Sequence, residues 1–247
     1  MKKTIAFIYG VIAYFIFLVA FLYAIGFVGN FIVPKSIESG TGTETSLIQA
    51  FLINTVLLSL FAIQHSVMAR PAFKKWWTGI ISPVIERSTY VLLSSLALFL
   101  LYWQWQSIPS IIWNIEGEMA VMLINGIYFF GWAVVLLSTF MINHFELFGL
   151  KQIFENLKGK QHQHSTFKMK YLYKIMRHPI MTGFIIAFWA TPRMTLGHLL
   201  FSITTTVYIF IAVKFLEEKD LRKFYEKEYE DYQKKVPMLF PFIGKRN

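Results

Sequence analysis

Apolar runs close to the length of a bilayer-spanning helix recur along this 247-residue chain, at about 5–32, 47–68, 89–106, 119–142, 180–191 and 196–216. About 20 consecutive apolar residues are needed to cross a hydrocarbon core as helix, and lipid offers exposed backbone groups no other partner. The chain is 55% hydrophobic and 15% charged, whereas soluble domains carry about a quarter charged residues. These features predict an all-α polytopic integral membrane protein of six membrane helical segments, the last two forming a hairpin, with an amphipathic helix after them. A single domain over 1–247 is expected, with an N-terminal anchor helix and outer loop in 1–45. The first run follows Met1-Lys2-Lys3 but is too long for a cleaved signal segment and lacks a small-residue cleavage site, so it is read as an anchor.

Cation placement sets the expected orientation. With both termini cytoplasmic and six crossings, 22 of the 24 Lys and Arg residues fall on inner segments, leaving only Lys35 and Arg193 outside. The formal net charge of +10 then faces anionic lipid headgroups and calls for no nucleic acid partner. Cysteine is absent, which removes disulfides, protein thiolate catalysis and Cys-ligated metal. No metal site, soluble domain, internal repeat, G-x-G-x-x-G or P-loop is found, and no obligate protein partner is implied. Ser36 to Ser46, rich in Gly, Ser and Thr, reads as a flexible outer loop.

The fifth run is short. Twelve residues separate Pro179 from Pro192, about 18 Å of helix against a core of about 30 Å. Either the Thr191-Pro192-Arg193 turn is sunk below the outer surface or Arg177-His178 lies below the inner one, and both options bury backbone or charge in protein. Pro179 suits a first helical position, where unpaired N–H groups and the helix dipole favour an anion. After Glu218, the residues Leu221, Phe224, Tyr225, Tyr229 and Tyr232 recur at helical spacing among charges, an amphipathic helix ending near Val236-Pro237.

Several polar side chains stand at membrane edges. Glu217 and Glu218 are consecutive acids at the end of an apolar run, so one of them is expected to face a cation, and the sequence does not say which. His65 and His144 lie at the ends of the second and fourth runs, where each is either a functional group or a satisfied imidazole. His162 and His164 read as part of a solvated loop, His198 as structural, and Glu86-Arg87 as helix-start chemistry.

Arg177-His178-Pro179-Ile180-Met181-Thr182-Gly183 resembles the R-H-P-x-Y-x-G motif of the isoprenylcysteine carboxyl methyltransferase superfamily, with Met181 in place of Tyr. Glu217-Glu218-Lys219-Asp220-Leu221 and Phe224 to Tyr232 resemble its E-E-x-x-L and F-G-x-x-Y-x-x-Y segments, with Tyr225 in place of Gly. Gln64 to Pro71, Glu86 to Tyr90, Asn143 to Gln152 and Ala187 to His198 narrow the resemblance to the methanethiol S-methyltransferases. The resemblance implies methyl transfer from S-adenosylmethionine to a small thiol, methanethiol giving dimethyl sulfide. It implies a cofactor-binding core in 177–241, lined by Arg177, His178, Pro179, Gly183, Glu217, Glu218, Leu221, Tyr229 and Tyr232. A thiol must lose its proton to become the nucleophile, so His144 or His65 is the expected base, with Arg177 stabilising the anion. A prenylcysteine carboxylate or other lipophilic acceptor, or a non-catalytic subunit holding haem through His65 and His144, stand as alternatives.

Overall fold

The computed structural model describes residues 2–39, 45–161 and 169–241. His162 and His164 lie outside the described residues. Helices α1 (Lys3–Gly29), α2 (Leu47–Ala69), α4 (Pro83–Gln104) and α5 (Glu118–Ile142) are each long and apolar enough to span a membrane, and the short α3 (Pro71–Trp77) follows α2. The fifth candidate is one helical stretch, Leu196–Lys235, made of α9 (Leu196–Ile211), a π-helical turn (Ala212–Glu217) and α10 (Glu218–Lys235). Forty residues of helix would run about 60 Å. Only its apolar part, through the π turn, matches a bilayer, and the charged α10 lies beyond it. The protein is therefore an integral membrane protein, with five long apolar helices among the described residues. The remaining one of the six expected segments, the fifth run, is the 11-residue α8 (Pro179–Trp189), too short to count as a span by length.

The residues fall into two compact units. The first comprises Met1–Ser110 and Asn143–His164, the second Ile111–Ile142 and Ser165–Asn247. In the first, α1 packs on α4, α2 packs on α4, and α7 (Leu150–Leu157) packs on α1. Close approach depends on small side chains: a Cβ at Gly10 would meet Ile153 at 2.4 Å, and one at Gly149 would meet Ser88 Oγ at 2.7 Å. Gly149 also has φ +88, a conformation open to glycine, where the chain turns from α6 (His144–Leu147) into α7. The described part of the loop expected to be flexible is tied down instead. Ile37 is buried, its N–H donates to Phe27 O at 2.9 Å, and its carbonyl accepts the Trp105 indole N–H at 3.0 Å. Asn54, fully buried, is matched to the Gln106 backbone by bonds of 2.7 and 2.8 Å.

In the second unit α5 and α8 pack along a glycine contact. A Cβ on Gly183 would lie 2.7 Å from Gly131 O, and one on Gly131 would lie 2.7 Å from Ala187 N. Small residues let two backbones approach where lipid supplies no hydrophobic drive. The short α8 is followed by a strand that the apolar pattern did not signal: β2 (Arg193–Thr195) pairs antiparallel with β1 (Ile111–Asn114). Ile115 N–H donates to Pro192 O at 2.9 Å and Trp113 Nε1 to Thr191 O at 3.1 Å. The backbone groups released where α8 stops thus find protein partners, as an interruption near lipid requires. His198 Nε2 donates to the Phe188 carbonyl at 3.0 Å, and Ser202 Oγ to the same oxygen at 2.6 Å. That is the structural part expected of His198.

Candidate active site

Arg177 and His178 immediately precede α8, whose first residue Pro179 has φ preset for a helix and no N–H to satisfy. The C-terminal tail fixes both residues through their backbones. Arg177 N–H donates to Pro237 O at 2.9 Å, His178 N–H to Met238 O at 3.1 Å, and Thr182 Oγ1 to Leu239 O at 2.6 Å. The π turn carries the chain into α10, and a wider helical turn changes the direction in which the following side chains point.

The twin acids are separated by this geometry. Glu218 is buried, and its Oε1 accepts from Arg177 Nε at 2.6 Å and from His178 Nε2 at 3.1 Å. Its Oε2 accepts from Gln233 Nε2 at 2.9 Å. Arg177 Nη1 donates to the carbonyls of Gln233, at 3.2 Å, and Val236. Glu217 points differently: its side chain is 43% exposed against 7% for Glu218, and it lies 3.6 Å from His178 Nδ1. The anion at the start of α8 is thus an internal one. Burial alone would raise the Glu218 carboxyl, but the hydrogen bonds from His178 and Arg177, with the guanidinium charge, outweigh it and hold the group at about 2.

Tyr229 and Tyr232 are buried on the inward face of α10 with ring centroids 5.7 Å apart, packed with Val236 and Leu221. Tyr232 donates to the Tyr173 carbonyl. Burial is the largest cause raising the phenols of Tyr173, Tyr229 and Tyr232, so all three stay neutral over the working range of pH. The structure therefore brings together Arg177, His178, Glu217, Glu218, Leu221, Tyr229 and Tyr232. Pro179 starts the adjoining helix. Gly183 lies one turn on, with its Cα face turned to Gly131 and Val135. Gln233 and Thr182 complete the cluster without having been anticipated. Only the placement of Gln233 four residues after Tyr229, on the same face of α10, could have signalled it.

His65 and His144 belong to the first unit. The Tyr90 hydroxyl sits 3.0 Å from His65 Nδ1 and 2.9 Å from Nε2, straddling the ring edge, with Ser94 Oγ 3.3 Å from Nδ1 and the Phe61 ring stacked at 5.2 Å. His144 opens α6 behind Asn143, whose Oδ1 accepts from Glu146 N at 3.3 Å and whose Nδ2 donates to Glu146 Oε2 at 2.7 Å. The imidazole is 5% exposed and packs edge-on to Phe145 and Phe148, with centroids at 5.5 and 4.8 Å. Burial lowers the His144 pKa, favouring the neutral ring. Its Nε2 is 2.7 Å from the hydroxyl of Tyr14 on α1. Glu86 lies in the first turn of α4, which Ser82 caps and Pro83 opens, as expected of helix-start chemistry, and Arg87 Nε donates to Leu147 O at 2.7 Å.

A family model described as NnrU protein matches residues 53–239. The methanethiol S-methyltransferase 1 of Bradyrhizobium diazoefficiens is 54% identical over 97% of this chain and 83% of its own length. The methanethiol S-methyltransferase of Mycobacterium tuberculosis is 51% identical over 98% of both chains, and that of Crocosphaera subtropica 47% identical over 100% of this chain and 96% of its own. No solved structure matches. With three quarters of its length inside the family model and near full-length identity to these relatives, the chain belongs to the NnrU protein family and groups there with the methanethiol S-methyltransferases.

Proposed function

We propose that the protein methylates methanethiol to dimethyl sulfide, with S-adenosylmethionine as methyl donor, in a bacterial inner membrane with both termini and the site on the cytoplasmic side. The observation that carries this reading is identity of 46–54% over most of the chain to relatives bearing that activity in their names. The cation distribution supports the orientation, and anionic lipid is the surface those cations meet.

The chemistry of the second-unit cluster fits the donor. Its sulfonium and ammonium are cationic, and Glu217 offers a half-exposed carboxylate that the internal pairing leaves outward. Glu218 neutralises Arg177 within the protein and holds the wall in one geometry. Pro179, Gly183, Leu221, Tyr229 and Tyr232 shape the apolar part of residues 177–241 that takes the donor, and His178 links the two acids. Bound there, S-adenosylmethionine supplies an electrophilic methyl group to a thiolate in line with it. The protein's share is to hold the partners in register, which is worth several kcal/mol, and to remove the thiol proton. His144 is the first candidate for this base and His65 the second, while Arg177, its charge paired with Glu218, is the group assigned to stabilise the anion.

The test is to incubate purified protein in detergent or bilayer with methyl-labelled S-adenosylmethionine and methanethiol and to collect labelled volatile product. Labelled dimethyl sulfide is the expected result. Folded protein that binds the donor yet yields none, while methylating a prenylcysteine, would overturn the acceptor.

A further inference from the structure

Three segments that bring polar groups to the second-unit cluster each bring an apolar side chain about one turn away. Met181 follows His178 by three residues on α8, and Val213 precedes Glu217 by four in the π turn. In the tail, Leu239 follows by three residues Val236, whose carbonyl accepts from Arg177 Nη1. Met181, Val213 and Leu239 meet in one apolar cluster whose members include Ile209, Phe184 and Met238. We propose that this cluster takes the alkyl group of the acceptor thiol and that Met181 is the specificity-determining residue that limits its length. The proposal rests on the thiol methylation, with the donor held against Glu217, set out above.

Position is the first argument. A helical turn rises about 5.4 Å, and reacting atoms must come within about 3–3.5 Å, so a donor anchored in the polar layer reaches a partner only in the adjoining one. The two layers are tied together by backbone. Met181 N–H donates to His178 O at 3.1 Å, and Glu218 N–H donates to Val213 O across the π turn. His178 N–H and Thr182 Oγ1 hold the tail at the carbonyls of Met238 and Leu239, at 3.1 and 2.6 Å. Chemistry is the second argument. Every side chain of the cluster is apolar, and the Thr182 hydroxyl is already spent on the tail. A carboxylate or ammonium on the acceptor would be buried there without a partner, at a high cost, whereas an alkyl thiol suits the thioethers of Met181 and Met238 and the ring of Phe184.

The third argument is adaptability. Val213 and Ile209 are buried and form a floor, while Met181, Phe184 and Met238 are only partly buried. Phe184 is held by the rings of Trp132 and Phe188, with centroids at 5.7 and 5.5 Å, and Met238 sits on a tail fixed through its backbone. Met181 is unbranched, with three rotatable side-chain bonds, so it is the side chain that yields to a one-carbon acceptor and obstructs a longer one.

Met181→Ala deletes three heavy atoms, as many as 1-butanethiol has beyond methanethiol. The preference for methanethiol over 1-butanethiol in kcat/KM is compared in wild type, Met181→Ala and Met181→Leu, which keeps most of the volume. Calorimetry follows S-adenosylmethionine binding, and thermal melting of the S-adenosylhomocysteine-bound protein follows stabilisation by each thiol without turnover. A methylene in an apolar pocket is worth about 10-fold or more, so Met181→Ala is expected to narrow the preference by at least about that factor. Met181→Leu should keep it, and all three proteins should bind the donor alike. Stabilisation by 1-butanethiol is expected in Met181→Ala and not in wild type. Met181→Val replaces the alanine variant should that one not melt cooperatively, with the same expectation. An unchanged preference in the truncated variant, or equal use of both thiols by wild type, would overturn the inference while the methanethiol activity stands. Absence of product from methanethiol in donor-bound wild type would overturn that activity, and this inference with it.

Discussion

Replacing Glu218 by Gln tests how the site is held together, because one side chain joins Arg177, His178 and Gln233. The carboxylate accepts three hydrogen bonds, at 2.6, 3.1 and 2.9 Å, and the Arg177 and Glu218 side chains are 10% and 7% exposed. Glutamine keeps the volume but presents one acceptor oxygen and an amide that donates toward groups already donating. It also leaves the guanidinium buried without its counter-charge. Breaking a buried pair on one side costs about 3–5 kcal/mol. At roughly 2–4 °C per kcal/mol for a chain of this size, a loss of about 3 kcal/mol lowers the melting temperature by about 6–12 °C. Because Arg177 Nη1 also holds the Gln233 and Val236 carbonyls, the tail loosens with it, and donor affinity is expected to fall. Glu217→Gln is the control. At 43% exposure and 3.6 Å from His178 it contributes less than about 1 kcal/mol to stability, yet donor affinity should drop by about 10-fold if Glu217 meets the cation. Thermal melting and calorimetric titration with the donor read both variants. Equal melting temperatures for the two, or loss of affinity confined to Glu218→Gln, would refute the division of labour between the acids.

Acid should weaken the protein through the same group. Glu218 has a folded pKa of about 2 against an ordinary 4.5, so its stabilisation is fully present above about pH 4.5 and is lost as pH falls toward 2. Melting temperature measured across that window should fall, and Glu218→Gln should flatten this part of the profile. Gly183→Ala would push a methyl to 2.7 Å from Gly131 O and 2.8 Å from Val135 N, both backbone atoms that cannot rotate away. A loss of about 1–3 kcal/mol by thermal melting is expected, and an unchanged melting temperature would show that α5 and α8 are not so closely packed.

Length and apolarity are properties of a segment by itself, so α1, α2, α4, α5 and α9 are legible within a few residues of their ends. The start of α4 is the largest miss among the long helices. Its apolar run begins near 89, but the helix starts at Pro83 and carries Glu86 and Arg87 in its opening turns. The β1–β2 ribbon is not legible, because three or four residues carry too little periodicity, and only the pairing of Asn114 with Arg193 creates it. Within the site, the motif residues Arg177, His178 and Glu218 announce themselves as charges beside lipid. Which acid turns inward depends on a π turn and on Gln233, and which histidine meets the Tyr14 hydroxyl depends on α1. A sequence determines what lies three or four residues away on one helix face. Contacts across 41 or 130 residues, such as Arg177–Glu218 and Tyr14–His144, exist only once helices pack, since burial and glycine-permitted approach choose those partners.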